Sequence, residues 1–197
     1  IQRVALLVHD HLDDIRIADI RFDIDTVKDK TSDLPHLLPT PEAFAAAVGQ
    51  MGIGDGMTLI IYDGMGLFSA PRVRWTFRTF GAQDVRILDG GLPRWQAEGL
   101  AIESGPGRAR SRRSFTARFD HGAVADLGDI RRYLADATTQ VVDARPANRF
   151  RGEAPEPRAG LASGHMPGSL NLPFAVIQSC GETYTHLPSS SIQPMKL

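Results

Sequence analysis

Short apolar stretches alternate with helical segments along this chain, and this alternation restricts the fold more than any other feature of the sequence. Two helical segments have defined starts, because Thr40 precedes Pro41 and Ser69 lies just before Pro71. The strand candidates are rich in β-branched residues and cover 15–20, 58–63, 85–89, 141–144 and 169–174. Strands that alternate with helices predict an α/β fold with mostly parallel sheets and crossover connections.

A stretch without helical or strand periodicity divides the chain. Residues 104–122 are rich in Gly, Arg and Ser, which is typical of a linker. We therefore predict a first domain over 1–104, a linker over 105–121 and a second domain over 122–197. The second domain has about 75 residues, near the lower limit for an independent core.

Composition excludes several classes of function. The net charge of −1 gives no reason to expect a nucleic-acid partner, and no apolar run approaches the length of a membrane span. The arginines between Arg108 and Arg113 are interpreted as a solvated linker rather than a binding patch. Cys180 is the single cysteine, which rules out an internal disulfide and fits a reducing, cytoplasmic location. No residue spacing matches a metal site or a phosphate-binding glycine loop, so neither metal nor organic cofactor is expected.

The most unusual segment is the cationic, proline-stiffened stretch 149–168. It contains three arginines and three prolines but little that could build a core. Loops this long without regular structure are usually either functional or disordered. Guanidinium groups bind planar anions and stay charged at every relevant pH, so the segment is a candidate anion-binding loop. A surface loop with solvated arginines is the alternative, and the residues alone do not decide between the two.

Motifs in both halves of the chain resemble a known family. "VVDARPANRFRGEAPEPRAGLASGHMPGSLNLPF" in the second half, and "FDIDTVKDKTSDLPHLLPTPEAF" and "IYDGMGLFSAPRVRWTFRTFG" in the first, are similar to tandem-domain rhodanese-type sulfurtransferases of the 3-mercaptopyruvate and thiosulfate type. The resemblance implies two rhodanese-like α/β domains, each with a parallel sheet flanked by helices. It also implies a catalytically silent first domain, since Asp63 stands where an active domain has its nucleophile.

The same resemblance assigns roles to individual residues. Arg149 and Arg158 match the arginines that grip the donor carboxylate, and Asp25 and His36 match a proton relay. Cys180 is the candidate sulfur nucleophile, but "ETYTH" after it replaces the small residues of the family's cysteine loop. We therefore expect the second domain to be incomplete, with its catalytic cysteine loop missing; an incidental thiol is the alternative for Cys180.

The function implied by the resemblance is sulfur transfer. The sulfane sulfur of a small anionic donor, 3-mercaptopyruvate or thiosulfate, would pass through a cysteine persulfide to a thiol or cyanide acceptor. The alternative is a catalytically incompetent rhodanese-like fragment that acts as an anion- or partner-binding module.

Overall fold

The computed structural model describes residues 4–9, 19–102, 110–136, 139–158 and 160–179. The chain forms two compact units, Ile1–Ala123 and Val124–Leu197. Strands and helices alternate in both units, so the predicted α/β class is confirmed.

The first unit contains a four-stranded sheet in the order β2-β1-β3-β4. The strands are β1 (Val4–His9), β2 (Asp19–Phe22), β3 (Thr58–Asp63) and β4 (Val85–Ile87). β3 and β4 are parallel, as expected, whereas β1 is antiparallel to both β2 and β3. The sequence pattern did not predict β1. Its pairing with β2 follows from their short connection, because parallel pairing needs a crossover of a dozen or more residues.

The described part of this unit contains the α-helices α1 (Pro41–Gln50), α2 (Ala70–Thr79) and α3 (Gly91–Ala97) and a short 3-10 helix at His121–Ala123. The hydroxyl of Thr40 accepts a hydrogen bond from the Ala43 N–H at 3.3 Å, as the sequence predicted for an N-cap. Phenylalanine rings fill the core between the helices and the sheet. The Phe44 ring stacks on that of Phe80 at 4.1 Å and meets that of Phe77 edge-on at 5.2 Å.

The segment 110–120, which follows α3, also belongs to this unit. Asp120 N–H donates to the Thr79 carbonyl at 2.8 Å, and Phe115 packs against the aromatic core. A Cβ on Gly49 would lie 2.6 Å from the Arg113 carbonyl oxygen, so this close approach requires glycine. The boundary between the units therefore follows Ala123, which differs from the linker expected over 105–121.

The second unit is smaller and has a two-stranded parallel sheet. Its elements are α4 (Leu127–Asp136), β5 (Val142–Asp143), α5 (Ala147–Phe150), β6 (Leu170–Asn171) and α6 (Phe174–Ser179). β5 pairs with β6, and the Asn171 amide donates to the carbonyls of Asp143 and Arg145 at 2.9 Å each. Among the described residues of this unit Ser169 alone is buried, which fits a partial rhodanese-like domain.

Candidate functional site

Asp25 and His36 are eleven positions apart in the sequence, and the structure brings them into contact. His36 Nε2 lies 2.8 Å from Asp25 Oδ1. The turn that presents Asp25 follows β2 directly and is organised by Asp23, which accepts from the Asp25 and Val27 N–H groups at 2.9 Å each. The sequence-predicted pair therefore exists as a geometric unit.

This contact restricts what the His36 ring can do. An ionised carboxylate only accepts hydrogen bonds, so Nε2 carries the proton and donates it to Asp25. Nδ1 of the neutral ring is then the nitrogen that can take up a proton. The backbone of His36 has φ of 60°, and it is the one non-glycine residue in the described part of the chain with positive φ. Such conformations are uncommon for residues with a Cβ and are concentrated at functional sites.

The side chain of Asp63, at the end of β3, accepts hydrogen bonds from the backbone of the loop that leads to α2. Its Oδ2 accepts from the N–H groups of Phe68, Ser69 and Ala70 at 2.7, 2.8 and 2.9 Å, and its Oδ1 accepts from Met65 at 2.9 Å. The predicted capping by Ser69 is wrong: the Ser69 side chain makes no cap hydrogen bond, and its backbone (φ −105°, ψ −22°) is in the right-handed helical region rather than in the extended conformation of a side-chain N-cap. An intramolecular carboxylate fills this ring of N–H groups.

Arg149 lies on α5 and pairs with Glu156 across the following loop. Its Nε donates to Oε1 of Glu156 at 3.2 Å, and its Nη2 donates to Oε2. The Glu156 side chain is only 4% exposed. This side-on pairing leaves Nη1 of Arg149 with no acceptor among the described residues. Arg149 is therefore oriented by a carboxylate and retains donors for a second anion.

Glu156 belongs to a network of alternating charges. Arg145 donates from Nη1 to Glu156 Oε1 at 2.7 Å, from Nη2 to Asp143 Oδ2 at 2.5 Å and from Nη2 to the Gly164 carbonyl at 2.7 Å. The hydrogen bond from Arg149, together with the charges of both arginines, lowers the pKa of Glu156. The hydrogen bond from Arg145 likewise lowers the pKa of Asp143, so both carboxylates stay ionised at neutral pH.

The other cations of this loop differ in their contacts. Arg151 forms a bidentate ion pair with Glu153 at 2.8 and 2.7 Å, as expected of a structural arginine. Arg158 is exposed and has no ion pair or hydrogen bond among the described residues. Nδ1 of His165 lies 2.8 Å from the Phe150 carbonyl, and its ring stacks on the Phe150 ring at 3.8 Å, which fastens the loop to α5.

Cys180 lies outside the described residues. Among the described residues no group of three or more His, Cys, Asp or Glu could hold a metal ion, and no helix is long and apolar enough to cross a membrane.

The sequence analysis assigned no role to Arg145 or Glu156. A usable signal was present, because "PEP" fixes the backbone on both sides of Glu156 within a loop rich in arginine. A buried carboxylate in such a loop needs a cationic partner.

The sequence was compared with protein families and with curated proteins. No protein-family model matches the sequence. The 3-mercaptopyruvate sulfurtransferase of Escherichia coli is 45% identical over 164 residues, which are 83% of this chain and 58% of the relative. The Arabidopsis thaliana protein named thiosulfate/3-mercaptopyruvate sulfurtransferase 1, mitochondrial, is 40% identical over 87% of this chain and 50% of its own length. The chain thus spans between half and three fifths of these relatives.

Solved structures agree with the sequence comparison. The crystal structure of SseA from Escherichia coli, described as a rhodanese fold, has a TM-score of 0.70 at 44% identity, over 78% of this chain and 56% of that one. Tum1 from Saccharomyces cerevisiae has a TM-score of 0.70 at 29% identity, over 78% of this chain and 53% of that one.

Proposed function

Since this chain belongs to the tandem-domain rhodanese-type sulfurtransferases, we propose that the protein moves sulfane sulfur from 3-mercaptopyruvate or thiosulfate to a thiol or cyanide acceptor through a cysteine persulfide. The observation that carries the proposal is the Asp25–His36 hydrogen bond of 2.8 Å, which unites two residues from an irregular segment into a proton-transfer pair. The cytoplasmic location expected from the single cysteine stays a prediction.

Donor binding is assigned to Arg149 and Arg158. Glu156 occupies the Nε edge of Arg149, so a donor carboxylate would bind at Nη1, and Arg158 offers a further guanidinium without a described partner. Charge-assisted hydrogen bonds from guanidinium to carboxylate are shorter and stronger than neutral ones. The buried network behind Arg149 limits the rotamer entropy that donor binding would cost.

The proposed reaction with mercaptopyruvate balances without an external oxidant. A cysteine thiolate attacks the thiol sulfur of the donor, the carbon–sulfur bond breaks, and its electron pair forms the pyruvate enolate. His36 would take the thiol proton at Nδ1 while Asp25 holds the Nε2 proton, and the proton would return to the enolate carbon. The products are pyruvate and a persulfide anion, whose outer sulfur then passes to cyanide or a thiolate and regenerates the cysteine thiolate.

Cys180 is the candidate nucleophile because the 197-residue sequence contains no other cysteine. In the test, the chain is incubated with mercaptopyruvate or thiosulfate, and thiocyanate formation is measured after cyanide is added. The intact mass of the protein before cyanide is added shows whether it has gained one sulfur atom. We expect the gain and the turnover to disappear in C180S. The H36Q variant should retain binding of pyruvate, a carboxylate mimic, while losing turnover.

The assay separates the two candidate functions. Pyruvate binding that depends on Arg149, with neither persulfide nor thiocyanate formed, would overturn sulfur transfer by this chain and leave the anion-binding module. Persulfide formation that survives C180S would refute the assignment of the nucleophile.

A further inference from the structure

The arginine side chains of α2 donate hydrogen bonds to backbone carbonyls in different places. Nη2 of Arg72 donates to the His36 carbonyl at 2.6 Å, and Nη1 of Arg78 donates to the Gln83 carbonyl at 2.6 Å. Arg78 thereby fastens the turn that follows its own helix. Arg72 instead reaches across to the segment that carries the Asp25–His36 pair.

His36 occupies a backbone conformation that needs such support. With φ of 60° it lies in the left-handed region, which is unfavourable for a residue with a Cβ. The backbone angles determine where the Cα–Cβ bond points, so they decide whether the ring meets Asp25. His36 is held at two atoms: Nε2 contacts Asp25, and the carbonyl oxygen accepts from Arg72. Residues in such conformations persist only where their surroundings fix them.

Arg72 is itself well anchored. Its guanidinium carbon lies 4.5 Å from the centroid of the Trp75 ring, one turn further along α2. The start of α2 is fixed by the Asp63 carboxylate, which accepts from the N–H groups of Ser69 and Ala70. A rigid helix end therefore supplies the donor that contacts His36.

From these contacts we infer that Arg72 is a positioning residue, which holds His36 in the left-handed conformation where its imidazole meets Asp25. The inference takes its catalytic meaning from the proposed function, but the contact it describes can be tested without sulfur transfer. Because Arg72 acts through the His36 carbonyl, its removal should change the imidazole without changing any donor-binding arginine.

The test is a spectroscopic double-mutant cycle on the full chain. Carbon and nitrogen chemical shifts of the His36 ring are measured by NMR at a pH where the ring is neutral, in wild type, D25N, R72M and the double variant. We expect R72M alone to reproduce at least about half of the shift change caused by D25N. The two changes should also combine non-additively, because both separate the same pair. R78M is the matched control and should leave the His36 signals unchanged.

The NMR results can either support or overturn the positioning role of Arg72. Unchanged His36 signals in R72M, full additivity with D25N, or an equal change in R78M would each overturn it. R72K keeps a donor and the charge and should restore part of the wild-type spectrum; it also provides the comparison if R72M does not fold. A perturbed ring in R72M together with absent sulfur transfer would support the positioning role while refuting the proposed function.

Discussion

Replacement of Asp63 by alanine should destabilise the first unit more than any conservative change at this position. The carboxylate accepts from four backbone N–H groups, of which those of Ser69 and Ala70 belong to buried residues. Phe68 and Met65 are exposed, so their N–H groups can turn to water. Hydrogen bonds to charged groups contribute about 1.5–3 kcal/mol each, so the two buried donors correspond to about 3–6 kcal/mol.

Asp63→Asn should cost much less than Asp63→Ala. The amide oxygen can replace Oδ2 and keep three donors, whereas the charge at the α2 N-terminus is lost, which costs about 0.3–2 kcal/mol. Asp120→Ala is a matched control, because this exposed carboxylate accepts from one N–H, that of Gly122 at 2.9 Å, and such surface changes stay within about 0.5 kcal/mol.

Urea unfolding followed by tryptophan fluorescence measures these effects in the correct unit, because Trp75 and Trp95 both lie in it. An Asp63→Ala chain within about 1 kcal/mol of wild type would refute the reasoning, since water would then satisfy the buried donors. Equal costs for alanine and asparagine would show that the charge, and not the number of acceptors, matters.

Three further predictions concern the loop and the aromatic core. R149M and R158M should each weaken pyruvate binding about ten- to a hundredfold in calorimetric titrations, whereas R151M, which removes an arginine paired with its neighbour Glu153, should not. Arg149 and Arg145 lower the pKa of Glu156 from its usual 4.5. The ion pairs of Glu156 therefore stabilise the folded second unit above that pH, and this stabilisation is lost as the pH falls through the lowered pKa. The difference in thermal unfolding between wild type and E156Q, followed by circular dichroism, should therefore be large at neutral pH and shrink as the pH falls through the lowered pKa of Glu156; a difference that does not shrink in acid would contradict the prediction. F115A should destabilise the first unit by about 2 kcal/mol in urea unfolding, less than for a fully buried ring, and no loss would mean that residues 110–120 do not pack on this core.

Local signals in the sequence predicted the elements they encode. Thr40 and Pro41 define the start of α1, and the apolar run 58–63 coincides with β3. Composition predicts a linker over 105–121, because arginine, glycine and serine dominate this stretch. Its alternate residues Phe115, Ala117 and Phe119 nevertheless pack against the core, and this period of two is the signal that composition concealed.

The site was predictable only in part, for a physical reason. Family resemblance proposed Asp25 and His36 as a pair, and the hydrogen bond between them forms inside one short irregular segment. The partners of Arg149 and Asp63 could not be assigned in the same way. A carboxylate seven residues from an arginine contacts it only because the intervening loop folds back, and that depends on Arg145 and the Gly164 carbonyl.

In each unit a carboxylate of the chain itself binds donors that could otherwise bind an external anion, but the two carboxylates differ in how many donors they leave available. In the first unit Asp63 accepts from four N–H groups that converge on it from the loop and the start of α2, so an external anion would have to displace a buried carboxylate of the chain itself. In the second unit Glu156 takes only the Nε edge of Arg149. Arg149 Nη1 and the exposed Arg158 keep donors without an acceptor among the described residues. An external anion should therefore bind the second unit and not the loop at Asp63, and R149M should abolish most of the anion binding of the whole chain.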